Sequence, residues 1–327
     1  MNQSKGLAAR AAVGIIGAAL VTGCAAGGTG GSPAAQASPS AQAAAAPVPA
    51  PARVLSGVLA TPLPVAAYGL TPLQLAQEQY VNARLTQQCM RGYGIDYLPT
   101  LSGQLITRNV DITEEFDSRW YGVSDSAAVR SYGYHLPTWT EGMAAPTKLP
   151  PVGADVLTGT VTTYDHRAVP NGGCLAEVQT QLAQAGFGTS TQATGGSGPG
   201  TVVGDIQSNA FQSAQSDPRV LASFKKWSAC MLSYGYHYST PFTAAGDQRW
   251  STAATANPLE IRTAERDVSC KLRVNLLNVE FAVVSDYQQA ALARNASALA
   301  AAKVQLAGES SALSRLMSRY GPSTQRP

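Results

Sequence analysis

The order of apolar and polar positions beyond about residue 70 predicts helices. Thr71-Pro72-Leu73-Gln74 sets an N-cap, a proline in the first turn and a glutamine three residues on, the sequence form of a capping box. Leu75, Tyr80, Val81, Leu85 and Cys89 then roughly follow the 3.6-residue period, and Gly92 or Gly94 is expected to stop the helix. Asp217-Pro218 repeats the device, with Val220, Phe224, Trp227 and Met231 on the inner face and Gly235 at the end. Asn257-Pro258-Leu259-Glu260 reads as a third capping box and opens a helical stretch that runs, with a bend, to about Tyr320. Asp111-Ile112-Thr113-Glu114 reads as a fourth, with acids in a first turn where the helix dipole favours them. Leu292, Leu299, Leu306 and Leu313 recur every seven residues, but the seam positions between them are mixed, among them Asn295, Ala302 and Glu309. That helix is therefore expected to pack on its own domain and not as a coiled coil.

Two of the helix ends match. Cys89-Met-Arg-Gly-Tyr-Gly-Ile-Asp-Tyr97 lies over Cys230-Met-Leu-Ser-Tyr-Gly-Tyr-His-Tyr238, with Cys, Met, Tyr, Gly and Tyr in register. Each is followed by one more cysteine, Cys174 and Cys270. The pattern reads as two copies of one unit: a helix ending in Cys-Met-x-x-Tyr-Gly, a loop, and a helix carrying the partner cysteine. The expected organisation is a mainly α, disulfide-stapled domain over 66–327. It divides into repeat unit one (70–185), a connector (186–215) with the glycine-rich run Gly195–Gly200, and repeat unit two plus a C-terminal helix (216–320).

The N-terminal pattern is different. Lys5 and Arg10 precede an apolar run from Ala11 to Val21, too short to span a bilayer but suited to the core of a signal peptide. Val21-Thr22-Gly23-Cys24 resembles the lipobox of bacterial lipoproteins. The resemblance implies a signal peptide over 1–23, cleavage after Gly23, and a palmitate-type lipid anchor on Cys24 that holds the protein on the extracytoplasmic face of the cell membrane. From Ala25 to about Pro64 the chain is Ala, Gly, Pro, Ser and Gln, with Arg53 its only charge and seven prolines. It carries too little bulky apolar surface to offset ordering entropy, so 24–65 is expected to be a disordered tether spanning on the order of 35 Å.

Composition adds exclusions. Formal charge is +3, and loss of Lys5 and Arg10 leaves 3 − 2 = +1, which gives no basis for nucleic-acid binding. Without Cys24 four cysteines remain, an even number in an exported chain. Sequence alone permits three pairings; the repeat favours Cys89–Cys174 and Cys230–Cys270, each closing its own unit. With three histidines and no Cys-x-x-Cys, neither a metal site nor a cofactor is expected. Ser223-Phe-Lys-Lys226 fits Ser-x-x-Lys but lacks the companion motifs of serine acylases. Glu114, Glu115 and Asp117 offer carboxylates, read here as first-turn acids and not as a glycosidase pair.

Arg119-Trp-Tyr-Gly-Val, Tyr132-Gly-Tyr-His, Pro170-Asn-Gly-Gly-Cys174, Trp227-Ser-Ala-Cys-Met and Asp267-Val-Ser-Cys270, with the repeated Cys-Met-x-x-Tyr-Gly, make most of 70–300 resemble a group of uncharacterised actinobacterial cell-envelope lipoproteins. The group implies no activity. The expected function is binding or structural association outside the membrane, with an envelope protein or cell-wall polymer as partner. The rival is a cell-wall hydrolase using carboxylates in a tyrosine-lined cleft. Tyr97, Tyr236 and Tyr238 follow the repeated helix ends, and with His135 and His237 they are the candidate binding residues, expected to converge on one cleft.

Overall fold

Each of the three proline-led starts opens a helix. The computed structural model describes residues 61–97, 101–137, 149, 151–187 and 199–322, and these are mostly helical with two disulfides. In chain order the helices are α1 (Pro72–Gly92), α2 (Gly103–Ser118), α3 (Ala128–Tyr132), α4 (Pro151–Thr158), α5 (Gly173–Gln184), α6 (Pro199–Gln215), α7 (Pro218–Leu232), α8 (Pro241–Ala245), α9 (Pro258–Arg273), α10 (Leu276–Arg294) and α11 (Ala296–Tyr320). A short hairpin, β1 (Thr163–Tyr164) with β2 (Arg167–Ala168), separates α4 from α5 and pairs Thr163 with Ala168.

Local chemistry explains the starts. Thr71 and Gln74 cap α1 reciprocally, and Asp217 accepts from Arg219 N at the head of α7. Asn257 caps α9 by accepting from Leu259 N and Glu260 N, but the expected box does not close, because the Glu260 side chain turns inward. The last helical stretch is broken twice, at Val274-Asn275 and at Asn295, and ends at Tyr320. Leu299 and Leu313 of α11 are buried, and that helix packs on α1 and α6 of its own chain.

The repeat is visible in the backbone. Ile95 N donates to Met90 O and Gly94 N to Arg91 O; Tyr236 N donates to Met231 O and Gly235 N to Leu232 O. Both are Schellman closures, and they need the left-handed φ of +71° at Gly94 and +84° at Gly235 that glycine adopts without strain. Met90 and Met231 are fully buried under the two caps. Cys89 is bonded to Cys174 and Cys230 to Cys270, each with Cα atoms 5.7 Å apart. Beyond the caps the copies diverge. Cys174 lies in the first turn of α5, whereas Cys270 lies in the last turn of α9.

Three other expectations need correcting. The connector 186–215 contains α6, a 17-residue helix that packs against α10 and α11 and buries Ile206, Ala210 and Ala214. Asp111 is no cap: it sits in mid-helix in α2, where Thr113 Oγ1 donates back to Asn109 O. The packed domain also reaches back into the expected tether, since Val65 is buried and its N–H donates to Gln288 Oε1 of α10. The signal peptide, Cys24 and the rest of the tether lie outside the described residues.

The core falls into four clusters. The largest surrounds Cys230–Cys270 with Trp227, Met231, Trp250 and Tyr134; a second, with Met90, Ile95 and Val156, surrounds Cys174. Val81, Leu85, Val178, Leu182 and Leu313 join α1, α5 and α11, and Val65, Ile206 and Leu299 form the fourth.

Candidate functional site

The first disulfide builds a groove. Glu78, Asn82 and Thr86 fall at i, i+4 and i+8 along α1, with Gln79 and Ala83 beside them, so they form one stripe of the helix. Cys89 follows one turn later and ties α1 to Cys174, which places the neighbouring Leu175 opposite the stripe. The Gly94 cap then turns the chain so that Tyr97 completes the wall. Together these residues enclose an open groove of about 270 Å³. Leu175 is 43% exposed and offers the groove an apolar edge. Partial burial raises the Glu78 carboxyl above its ordinary range, and Asn82 beside it offsets part of that shift.

In the second copy the corresponding positions are occupied differently. Counted back from its cysteine, Arg219, Ser223 and Trp227 take the places of Glu78, Asn82 and Thr86. Ser223 and Trp227 are buried, and Arg219 is held by Asp217 and Asp286. Arg219 pairing lowers the Asp217 carboxyl against the opposing effect of its burial. The indole that replaces Thr86 fills the space and donates through Nε1 to Asp267 Oδ1 at 2.9 Å.

Behind that indole runs a set of buried ionisable groups. Asp267, Lys271, Glu260 and Glu280 are all at most 1% exposed. Lys271 Nζ donates to Val123 O at 2.7 Å and to Asp267 Oδ2 at 3.1 Å. Burial raises the Asp267 carboxyl although Lys271 and Trp227 oppose it. Burial pushes Glu280 up to about 8 against the opposing effects of Lys271 and Gln215. Glu260 Oε1 accepts from Tyr134 N at 2.8 Å and lies 2.7 Å from His135 Nδ1, while His135 Nε2 faces Ala253 O at 3.1 Å. Partial burial pulls His135 down, but its bonds to Glu260 and Ala253 outweigh that and leave its pKa raised. The group clamps the segment after α3 onto α9.

The candidate binding residues are thus divided. Tyr97 lines the groove and packs beside the first disulfide cluster, while Tyr236 and Tyr238 pack against the other cluster. The Tyr238 hydroxyl is already engaged, donating to Asp247 Oδ2 at 2.8 Å and accepting from Arg249 Nη2 at 2.7 Å; with partial burial and Asp247 beside it, its pKa rises to about 12. His135 is engaged with Glu260, and His237 is exposed. One shared cleft is not formed, because each tyrosine loop packs onto its own disulfide. The groove residues Glu78, Asn82, Thr86 and Leu175 were not singled out from sequence. Their one signal is the polar run Glu78, Asn82 and Thr86 at i, i+4 and i+8 along α1. A second unused signal is Ser131-Tyr-Gly-Tyr-His135, identical to Ser233-Tyr-Gly-Tyr-His237.

No family model, curated protein or solved structure matches the chain. The two disulfides indicate an oxidising, extracytoplasmic compartment. Among the described residues no helix is long and apolar enough to cross a membrane.

Proposed function

We propose that the protein is a lipid-anchored envelope protein, held through Cys24, that binds a segment of cell-wall glycan in the groove between α1, Tyr97 and Leu175. The observation that carries this reading is the groove itself, a flat tyrosine beside amide, hydroxyl and carboxyl groups on a disulfide-fixed base. That combination suits sugars, which offer an apolar ring face and many hydroxyls, with Tyr97, Glu78 and Asn82 as the contacting groups and the buried Thr86 hydroxyl already donating to Asn82 O. Its volume is below the roughly 300–1,000 Å³ of whole ligand sites, so it takes one part of a longer chain.

The hydrolase alternative needs two carboxyls about 5–9.5 Å apart across the scissile bond. Among the described residues Glu78 is the one carboxyl lining the groove, so binding is the better supported role. Calorimetric titration with soluble N-acetylglucosamine oligomers tests it. Binding that is lost in Tyr97→Ala and kept in Tyr238→Ala is the expected outcome. Binding untouched by Tyr97→Ala contradicts it.

A further inference from the structure

A carboxyl and an amine meet in the interior on α9. Asp267 and Lys271 are four residues apart, on the same helix face as Ala264 and Val268, and both are sealed from solvent. The Lys271 nitrogen lies 3.1 Å from Oδ2 of the carboxyl group, in hydrogen-bond contact with the oxygen that condensation would expel. On the other oxygen, Trp227 Nε1 donates at 2.9 Å, so charge developing on Oδ1 during attack at Cγ would meet a preformed donor. Gly122 makes room for the amine: a Cβ there would lie 2.9 Å from Nζ.

We propose that Asp267 and Lys271 condense into an intramolecular amide, a covalent staple within α9 beside the Cys230–Cys270 disulfide. The balance closes without a co-reactant. The ammonium passes a proton to Oδ2, the free amine attacks Cγ, and the Cγ–Oδ2 bond breaks. Two of the three ammonium protons leave with Oδ2 as one water, and the third stays on the amide nitrogen. Burial favours the uncharged reacting pair, because two ions in the interior carry a large desolvation cost that a neutral amide lacks. It also raises the Asp267 carboxyl, in the same direction.

The product fits the site as well as the reactants do. Its carbonyl oxygen keeps the hydrogen bond from Trp227, and its single N–H keeps the one to Val123 O. The ammonium, by contrast, has three protons to place and two recorded acceptors, Val123 O and Asp267 Oδ2. Exclusion of water from the finished site protects the amide from hydrolysis.

The test is a tryptic digest of the purified full-length protein after denaturation, reduction and alkylation. Trypsin cuts after Arg266, Lys271 and Arg273 in an unmodified chain. If the amide forms, cleavage after Lys271 is blocked and 267–273 is recovered as one peptide lighter by one water. An Asp267→Asn variant should reach a product of the same mass by losing ammonia instead. A full-mass peptide 267–271 ending at Lys271 overturns the proposal. So does a water loss that leaves cleavage at Lys271 intact, since that marks an aspartyl succinimide.

Discussion

Replacing Glu280 by glutamine should stabilise the protein at neutral pH and leave it unchanged in acid. Glu280 is fully buried on α10, with Lys271, Asp267 and the Gln215 side chain close enough to act on its carboxyl. Its folded pKa is raised from 4.5 to about 8, chiefly by burial. The sign follows from linkage. Below about pH 4.5 the carboxyl is protonated in both states, so ionisation costs nothing. As pH rises the unfolded chain ionises first and gains stability relative to the fold. The penalty grows until about pH 8 and then levels off. At pH 7 it amounts to 2.5 pKa units (7 − 4.5) at about 1.36 kcal/mol each, or about 3 kcal/mol. That is a large part of the roughly 5–15 kcal/mol that holds a domain together. Glutamine has nearly the same shape and no charge to gain, so Glu280→Gln removes the penalty. Urea midpoints for wild type and variant at about pH 4, 6 and 7.5 measure it, and subtracting one from the other cancels the titrating groups that do not interact with Glu280. A gap that is constant with pH, or a variant less stable at pH 7.5, would show that the buried carboxyl is not held neutral as described.

Further expectations concern separate parts of the molecule. His135 has a raised folded pKa, so the stability it contributes is complete below about pH 6.5 and is lost as pH rises through the folded value; His135→Ala should abolish that loss in a pH series of melting temperatures. Glu260→Ala leaves Tyr134 N–H and His135 without their acceptor and should cost about 3–5 kcal/mol by urea denaturation, whereas a cost near zero would mean the clamp is dispensable. Cys24→Ser should release the protein from the membrane fraction or block its processing; unchanged retention with cleavage at Gly23 would rule out the lipid anchor.

The parts legible in sequence are those decided by local chemistry. Thr71-Pro72, Asp217-Pro218 and Asn257-Pro258 opened helices because a cap and a first-turn proline act within four residues. The disulfides followed from a duplicated helix end, and both copies close with the same backbone hydrogen bonds. Elements that depend on distant partners were not legible. α6 has Gly200, Gly204 and many small polar residues, and its weak pattern of Ile206, Ala210 and Ala214 becomes a core face only against α10 and α11. Glu260 obeys the grammar of a capping box, yet Tyr134 and His135, far away in sequence, draw its side chain inward. Asp267 and Lys271 share a helix face with Ala264 and Val268, and only the packing of that face seals them from solvent. The groove is half visible in the sequence: Tyr97 is a candidate there, whereas Glu78 and Asn82 become part of a groove only through the bridge to Cys174, which sets Leu175 across from them.

The most direct test of a glycan groove fixed by the first disulfide is backbone amide chemical-shift mapping during titration with N-acetylglucosamine oligomers. Saturable shifts are expected at Glu78, Asn82, Thr86, Tyr97 and Leu175, with Tyr236 and Tyr238 unmoved, and the response should vanish when Cys89 and Cys174 are both changed to serine in a protein that stays folded. No shift at those five positions, or shifts centred on Tyr236 and Tyr238, would contradict the account.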